Sequence, residues 1–230
     1  MNKHYMAAVL VLLISNNASA ALLYSDRNEF YQGTETYIVD GYDSETYGWD
    51  SSDTYGSVRL TDSQLNSLSP EVTYSTDHNI NWVGFAYTYQ NDPGVFCSGC
   101  NLAFTMGFTD TSIGTFSGVY AMGFDIVMNS ASDTYPNETR HAYVTFGDGS
   151  IIDYTLPKHG FDLPSIFWGI ASDQLISSIT FDDPATNLAQ TSLIIDNLTI
   201  GTSPVPIPAA IWLFGSGLFG LLGFARYKKR

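Results

Sequence analysis

The two cysteines of this 230-residue chain stand three apart, as Cys97-Ser98-Gly99-Cys100, and thiols so close favour an intraloop disulfide if the chain meets an oxidising compartment. A loop that short gains little from cross-linking, and its strain makes it easier to reduce than a long-range bridge. A redox dithiol is the sharper alternative, but the strand-to-helix setting of such sites is absent from the pattern. Zinc needs two further ligands, and beyond His4 only His78, His141 and His159 are on offer.

A second pattern is an acidic-Thr-Tyr triplet, found at Glu35-Thr36-Tyr37, Glu45-Thr46-Tyr47, Asp53-Thr54-Tyr55 and Asp133-Thr134-Tyr135, with Trp49 and Asp50 between the second and third. Exposed rings beside carboxylates suit sugars, because a ring face covers the apolar side of a pyranose while carboxylates accept from its hydroxyls. Tyr47, Trp49 and Tyr55 are therefore the candidate glycan-binding residues. The bland alternative is a solvated hairpin with tyrosines at its edge. No G-x-S-x-G, H-E-x-x-H or phosphate-binding glycine motif occurs, so no catalytic residue is assigned. Paired carboxylates for glycoside hydrolysis are the one catalytic arrangement left open, since spacing in sequence says nothing of their separation in space.

These residues sit in an acidic body. All 23 Asp and Glu lie between Asp26 and Asp196, against four cations there, Arg27, Arg59, Arg140 and Lys158, a net charge of −19. Nucleic acid is excluded as a partner by that charge, because phosphate contacts by Lys and Arg supply most non-specific affinity. Neutral glycans and divalent cations remain compatible. Aromatic residues make up 14 % and charged residues only 14 %, a mixture that suits short strands joined by tight turns.

Period-2 runs recur through the body. In Tyr120-Met122-Phe124-Ile126-Met128 every second residue is apolar, with Asp125 on the other face. Residues 142–146 and 151–156 flank Gly147-Asp148-Gly149-Ser150, a hairpin whose glycines supply positive φ. Further strands are expected at Val72–Ser75, Asn81–Tyr89, Leu102–Thr109, Leu175–Phe181 and Leu193–Ile200, and no helix-period stretch of useful length is seen. Eight or so strands over residues 21–203 predict an all-β fold, a β-sandwich or jelly roll, in one domain.

The two ends read differently. Lys3 and His4, an apolar run from Met6 to Ile14 and Ala18-Ser19-Ala20 form an export pattern, so residues 1–20 are expected to be a signal peptide cut by signal peptidase after Ala20. At the other end Pro204-Val205-Pro206-Ile207-Pro208 precedes an apolar run from Ala209 to Ala225 and the basic Arg226-Tyr227-Lys228-Lys229-Arg230. A helix over 209–225 spans about 25 Å at about 1.5 Å per residue, the short end of a membrane crossing. Arg226, Lys228, Lys229 and Arg230 would stay cytoplasmic, leaving the acidic body outside.

This tail, Val205-Pro206-Ile207-Pro208-Ala209 with the following Trp212-Leu213-Phe214-Gly215-Ser216-Gly217-Leu218 and the basic end, resembles the PEP-CTERM sorting signal in its VPLPA variant, differing from the name motif at Ile207. The resemblance covers about 27 residues. It implies sorting by an exosortase, a membrane cysteine transpeptidase of exopolysaccharide-making Gram-negative bacteria, and a mature form at the cell surface or outside the cell. Segments from Gly123-Phe124-Asp125-Ile126 through Val144–Gly149 to Ile195-Asp196-Asn197-Leu198-Thr199-Ile200-Gly201 resemble the lectin-like sandwich ectodomains of that class. From that resemblance comes a structural calcium at Asp196, the only cofactor expected. Residues 21–118 carry no such likeness. The function expected is a non-catalytic module that binds extracellular polysaccharide or matrix, with biofilm as its setting. A secreted glycan hydrolase and a purely structural matrix component are the alternatives.

Overall fold

The computed structural model describes residues 21–49, 56–76, 78–84, 94–98, 103–131, 140–160, 163–182 and 191–202. Cys100, Tyr55, the export segment, the proline motif, the apolar run 209–225 and the basic tail lie outside them. Among the described residues no helix is long and apolar enough to cross a membrane.

The fold is all-β, as the alternation predicts, and the described residues form twelve antiparallel strands in one curled sheet, a half-barrel. Along the chain these are β1 (Ala21–Tyr24), β2 (Tyr37–Asp40), β3 (Ser57–Leu60), β4 (Thr73–Thr76), β5 (Asn81–Gly84), β6 (Val95–Cys97), β7 (Phe104–Gly107), β8 (Val119–Ala131), β9 (His141–Phe146), β10 (Ile151–Thr155), β11 (Ile166–Asp182) and β12 (Thr191–Gly201). Three long strands do the curling, because each changes neighbours along its length. The first half of β11 lies between β1 and β8, and its second half between β9 and β7, with a register shift between Ile176 and Ser178. β12 runs beside β8 throughout, while its other edge meets β6 at Ile195 and β2 from Leu198 onward.

The interior follows from this curl. Phe96 of β6 packs on Tyr74 of β4 (5.0 Å between ring centres) and edge-on to Phe104 of β7 (5.3 Å). Phe104 continues to Phe181 at 4.7 Å and Phe181 to Phe124 at 5.4 Å. The β5–β6 and β4–β7 parts of the sheet thus face each other across one aromatic core. Met122, Phe124 and Ile126 of β8 are fully buried there, while Tyr120 and Met128 are half-buried.

Three short helices were not foreseen: α1 (Arg27–Gln32), α2 (Ser44–Tyr47) and α3 (Asp62–Leu68). Each is started by a side-chain cap on orphan N–H groups. Asp26 accepts from Glu29 N (2.9 Å), Asp43 from Thr46 N (2.8 Å), and Thr61 with Gln64 forms a capping box. Helices of one or two turns show too little of the 3.6-residue period to be read from a sequence. α1 covers the outer face of β8 and β11, where Phe30 packs on Ala121, Phe167 and Ala171. The β9–β10 hairpin forms as expected, with Gly149 at φ +84°.

Candidate functional site

A cleft of about 300 Å³ opens where β2, α2, the end of α3 and β12 meet. Its apolar walls include Ile38, Leu68, Val72, Leu198 and Ile200, and its polar groups are Asp40, Asp43, Thr46, Tyr47 and Glu71. The size is at the low end of ligand sites, right for a small ring rather than a large ligand.

The loop between β2 and α2 shapes the cleft. Asp40 Oδ1 accepts from Tyr42 N (2.9 Å), and its Oδ2 takes a short hydrogen bond from the Tyr47 hydroxyl. Tyr42 sits in the left-handed region at φ +50°, a costly place for an aromatic residue. Its surroundings hold it there. The ring is fully buried between Tyr47 and Phe96, its hydroxyl is 3.1 Å from that of Tyr74, and its carbonyl accepts from Trp49 Nε1 (2.9 Å). Burial raises the pKa of all three tyrosines, so their hydroxyls stay protonated and the Tyr47 O–H is a fixed donor.

Burial also raises the Asp40 pKa, against the Tyr47 and Tyr42 hydrogen bonds that lower it, and the neighbouring Asp43 charge adds to the rise. The sign of the linkage follows. The folded protein holds the Asp40 proton more tightly than the unfolded chain, so stability contributed by this group is present at low pH and lost as pH rises through the raised pKa. Asp40→Asn is expected to flatten the fall in urea midpoint from about pH 4 upward, the range starting at an ordinary carboxyl pKa. A slope identical to that of the parent chain would show that Asp40 is not the group responsible.

The sequence-picked residues fare unevenly. Tyr47 lines the cleft, but only 3 % of its surface is exposed, and Trp49 is 4 % exposed in the core. The expectation that both present rings to solvent is therefore corrected. Glu45-Thr46-Tyr47 belongs to α2, whose capping turns Tyr47 inward, and the left-handed Gly48 then returns Trp49 to the core. Of the two triplet tyrosines among the described residues, Tyr37 is the exposed one, stacked on Tyr31 at 4.0 Å. Asp40 and Glu71, central here, carry no motif that would have marked them. Glu71 Oε2 accepts from Ser112 N at 2.7 Å, which fixes its carboxylate at the rim.

Asp196 is buried at a bulge where β12 slips against β8 between Asp196 and Thr199, with Asn197 at φ +49°. Its carboxylate accepts from the Asn197 backbone and side chain, and Asn197 Nδ2 also reaches Asp125 at 3.0 Å. Arg27 of α1 pairs with Asp125 at 2.8 Å and donates to the Asn197 carbonyl and the Thr199 hydroxyl. A guanidinium thus supplies the positive charge at this bulge. Among the described residues no group of three or more His, Cys, Asp or Glu is placed to hold a metal. His141 pairs with Asp153 at 2.6 Å, and His159 is buried, bridged through its backbone to Asn129. Cys97 is fully buried in β6, and no described cysteine is free.

No family model, curated protein or solved structure matches this chain.

Proposed function

We propose that this chain is an exported bacterial surface or matrix protein, sorted by an exosortase, whose β-domain binds glycan without cleaving it. The observation that carries the binding role is the cleft, where carboxylate and hydroxyl oxygens of Asp40, Asp43, Thr46, Tyr47 and Glu71 line an apolar floor beside a strained, over-determined loop. A sugar ring offers the matching surface, apolar on its faces and hydroxylated around its edge. Export is carried by residues 1–20, with Lys3 and His4, the apolar run from Met6 to Ile14 and the Ala18-Ser19-Ala20 cleavage pattern. Sorting is carried by Val205-Pro206-Ile207-Pro208-Ala209, the apolar run 209–225 as a membrane helix, and the basic end. In this reading the domain is a sandwich whose two halves are the facing parts of the curled sheet. Cys97 and Cys100 form the disulfide. Beside Asp196, Arg27 pairs with Asp125 at 2.8 Å.

The test separates the parts. Intact-mass analysis of the surface form is expected to show loss of residues 1–20 and of the tail, and an uncut chain in the cytosol would overturn export. Binding is measured with soluble oligosaccharides released from the producing cells' exopolysaccharide. Thr46→Val and Glu71→Gln are expected to weaken binding about tenfold each, since one hydrogen bond to a charged or buried group contributes on the order of 1.5 kcal/mol. Unchanged affinity in both variants would remove the cleft as the site.

A further inference from the structure

The outer face of the strands β4, β7, β11, β9 and β10 has a composition that the cleft does not explain. Backbone register places Thr145, Ser178, Gly107 and Thr73 in one row across four strands. The next row outward along the strands is Tyr143, Thr180, Thr105 and Ser75. Alternation is strict: Tyr74, Phe104, Met106, Ile179, Phe181, Ala142 and Val144 point into the core from the same strands, so the rows face solvent. Thr73 and Ser75 are exposed, and the more central positions are half-buried.

The four positions of each row carry no charge, although the body carries −19, and the carboxylate that continues the second row on β10, Asp153 beside Tyr143, is paired with His141 at 2.6 Å. Rows lie about 7 Å apart along the strands and neighbouring strands about 4.8 Å apart, so the hydroxyls form a regular grid. Thr105 Oγ1 and Thr180 Oγ1 are 2.8 Å apart, and one donates to the other, which leaves the second hydroxyl proton unused by the pair. At Gly107 the missing side chain makes room for the Thr73 hydroxyl, which a Cβ there would approach to 2.5 Å, so Thr73 covers the glycine and continues the row of hydroxyls. One end of the grid rises to a ring platform, with Tyr143 and His141 stacked at 6.0 Å and 21°.

We propose that this face is a binding surface for an extended, uncharged polysaccharide strand, lying along the hydroxyl rows with a sugar ring on the Tyr143–His141 platform. The inference rests on the glycan-binding reading and extends it from a chain end in the cleft to the side of a polymer. Charge selects the occupant: a polyanion is repelled by the surrounding carboxylates, and a polycation meets only Asp153 beside the rows, a carboxylate already paired with His141. An uncharged polymer meets matched donors and acceptors, and the ring platform gives its apolar sugar face a partner. Such a contact is weak at each unit and gains from repetition along one strand.

The experiment uses the purified full chain in detergent and retention on insoluble neutral glucan particles, with soluble alginate as the polyanion. The parent chain is expected to be retained on glucan and to ignore alginate. Thr105→Val with Thr180→Val, and separately Tyr143→Ala, are expected to lower retention about tenfold, whereas Tyr143→Phe keeps it. Thermal midpoints check that each variant is folded, and the two Val replacements keep the β-branched shape the strands favour. Retention unchanged by the face variants but lost with Thr46→Val would overturn this surface and leave the cleft standing. Retention lost with neither set would overturn both. Inhibition of ice recrystallisation by the parent chain without glucan retention would also overturn the proposal, assigning the grid to ordered water.

Discussion

Trp49→Ala is expected to destabilise the protein by about 3–5 kcal/mol, the range for emptying a buried indole site. The ring is 4 % exposed, belongs to the core cluster with Tyr42, Tyr47 and Phe96, and abuts Gly84, where a Cβ would stand 3.0 Å from its Cγ. Its Nε1–H also satisfies the Tyr42 carbonyl at 2.9 Å. Losing that bond leaves a buried acceptor on a residue already held in the left-handed region, so the cost extends beyond the cavity. In a domain of this size each kcal/mol moves the midpoint by about 2–4 °C. A fall of about 10 °C or more is expected by calorimetry, and Trp49→Phe, which keeps a ring but loses the donor, should recover most of it. A midpoint unchanged by Trp49→Ala would mean that the indole is not in the core, and would restore it as an exposed sugar platform.

That experiment bears on what a sequence can show. The β9–β10 hairpin was legible because Gly147-Asp148-Gly149-Ser150 separates two strand-forming runs and Gly149 supplies the positive φ of the turn. β8 was legible from its alternation at Met122, Phe124 and Ile126. Its length was not, nor that of β11, because Ala121, Gly123, Gly169 and Ala171 break the alternation where α1 covers the outer face. Gly123 and Gly169 are there to let Phe167 and Phe30 lie close on the sheet, a requirement set by tertiary contact alone.

The site was half legible. Tyr47 was picked for its triplet and does line the cleft, yet the triplet is a capped helical turn and the hydroxyl, not the ring face, is what it offers. Asp40 follows Tyr37-Ile38-Val39 as an ordinary strand end. Only pairing with Leu198 and the fold of the next loop make it a half-buried carboxylate. The cleft also joins residues 38–72 to Leu198 and Ile200, so it is built from both halves of the chain.

Arg27 links that cleft to the far side of the sheet. Its guanidinium pairs with Asp125 at 2.8 Å, donates to Tyr31 and Thr199 hydroxyls at 2.7 and 3.1 Å, and lies 4.8 Å over the Phe167 ring. Through the Asn197 carbonyl it also holds the bulge that sets β12 in register with β2, opposing Leu198 to Asp40. Arg27→Met keeps the apolar stem and removes the charge that pairs with Asp125, the cross-strand neighbour of Asp196. Breaking a fully buried pair costs about 3–5 kcal/mol, and because Arg27 and Asp125 retain 22 % and 15 % exposure, about 2–3 kcal/mol is expected here. Asp125→Asn in the same chain should return part of the loss by removing the stranded carboxylate, a rescue that a purely steric role for Arg27 would not give. Because the bulge seats Leu198 and Ile200, Arg27→Met should also weaken oligosaccharide binding in the cleft, even though Arg27 does not line it. Lower stability with full cleft affinity would show that β12 keeps its register without the guanidinium, and that the bulge is held by Asn197 and Asp196 themselves.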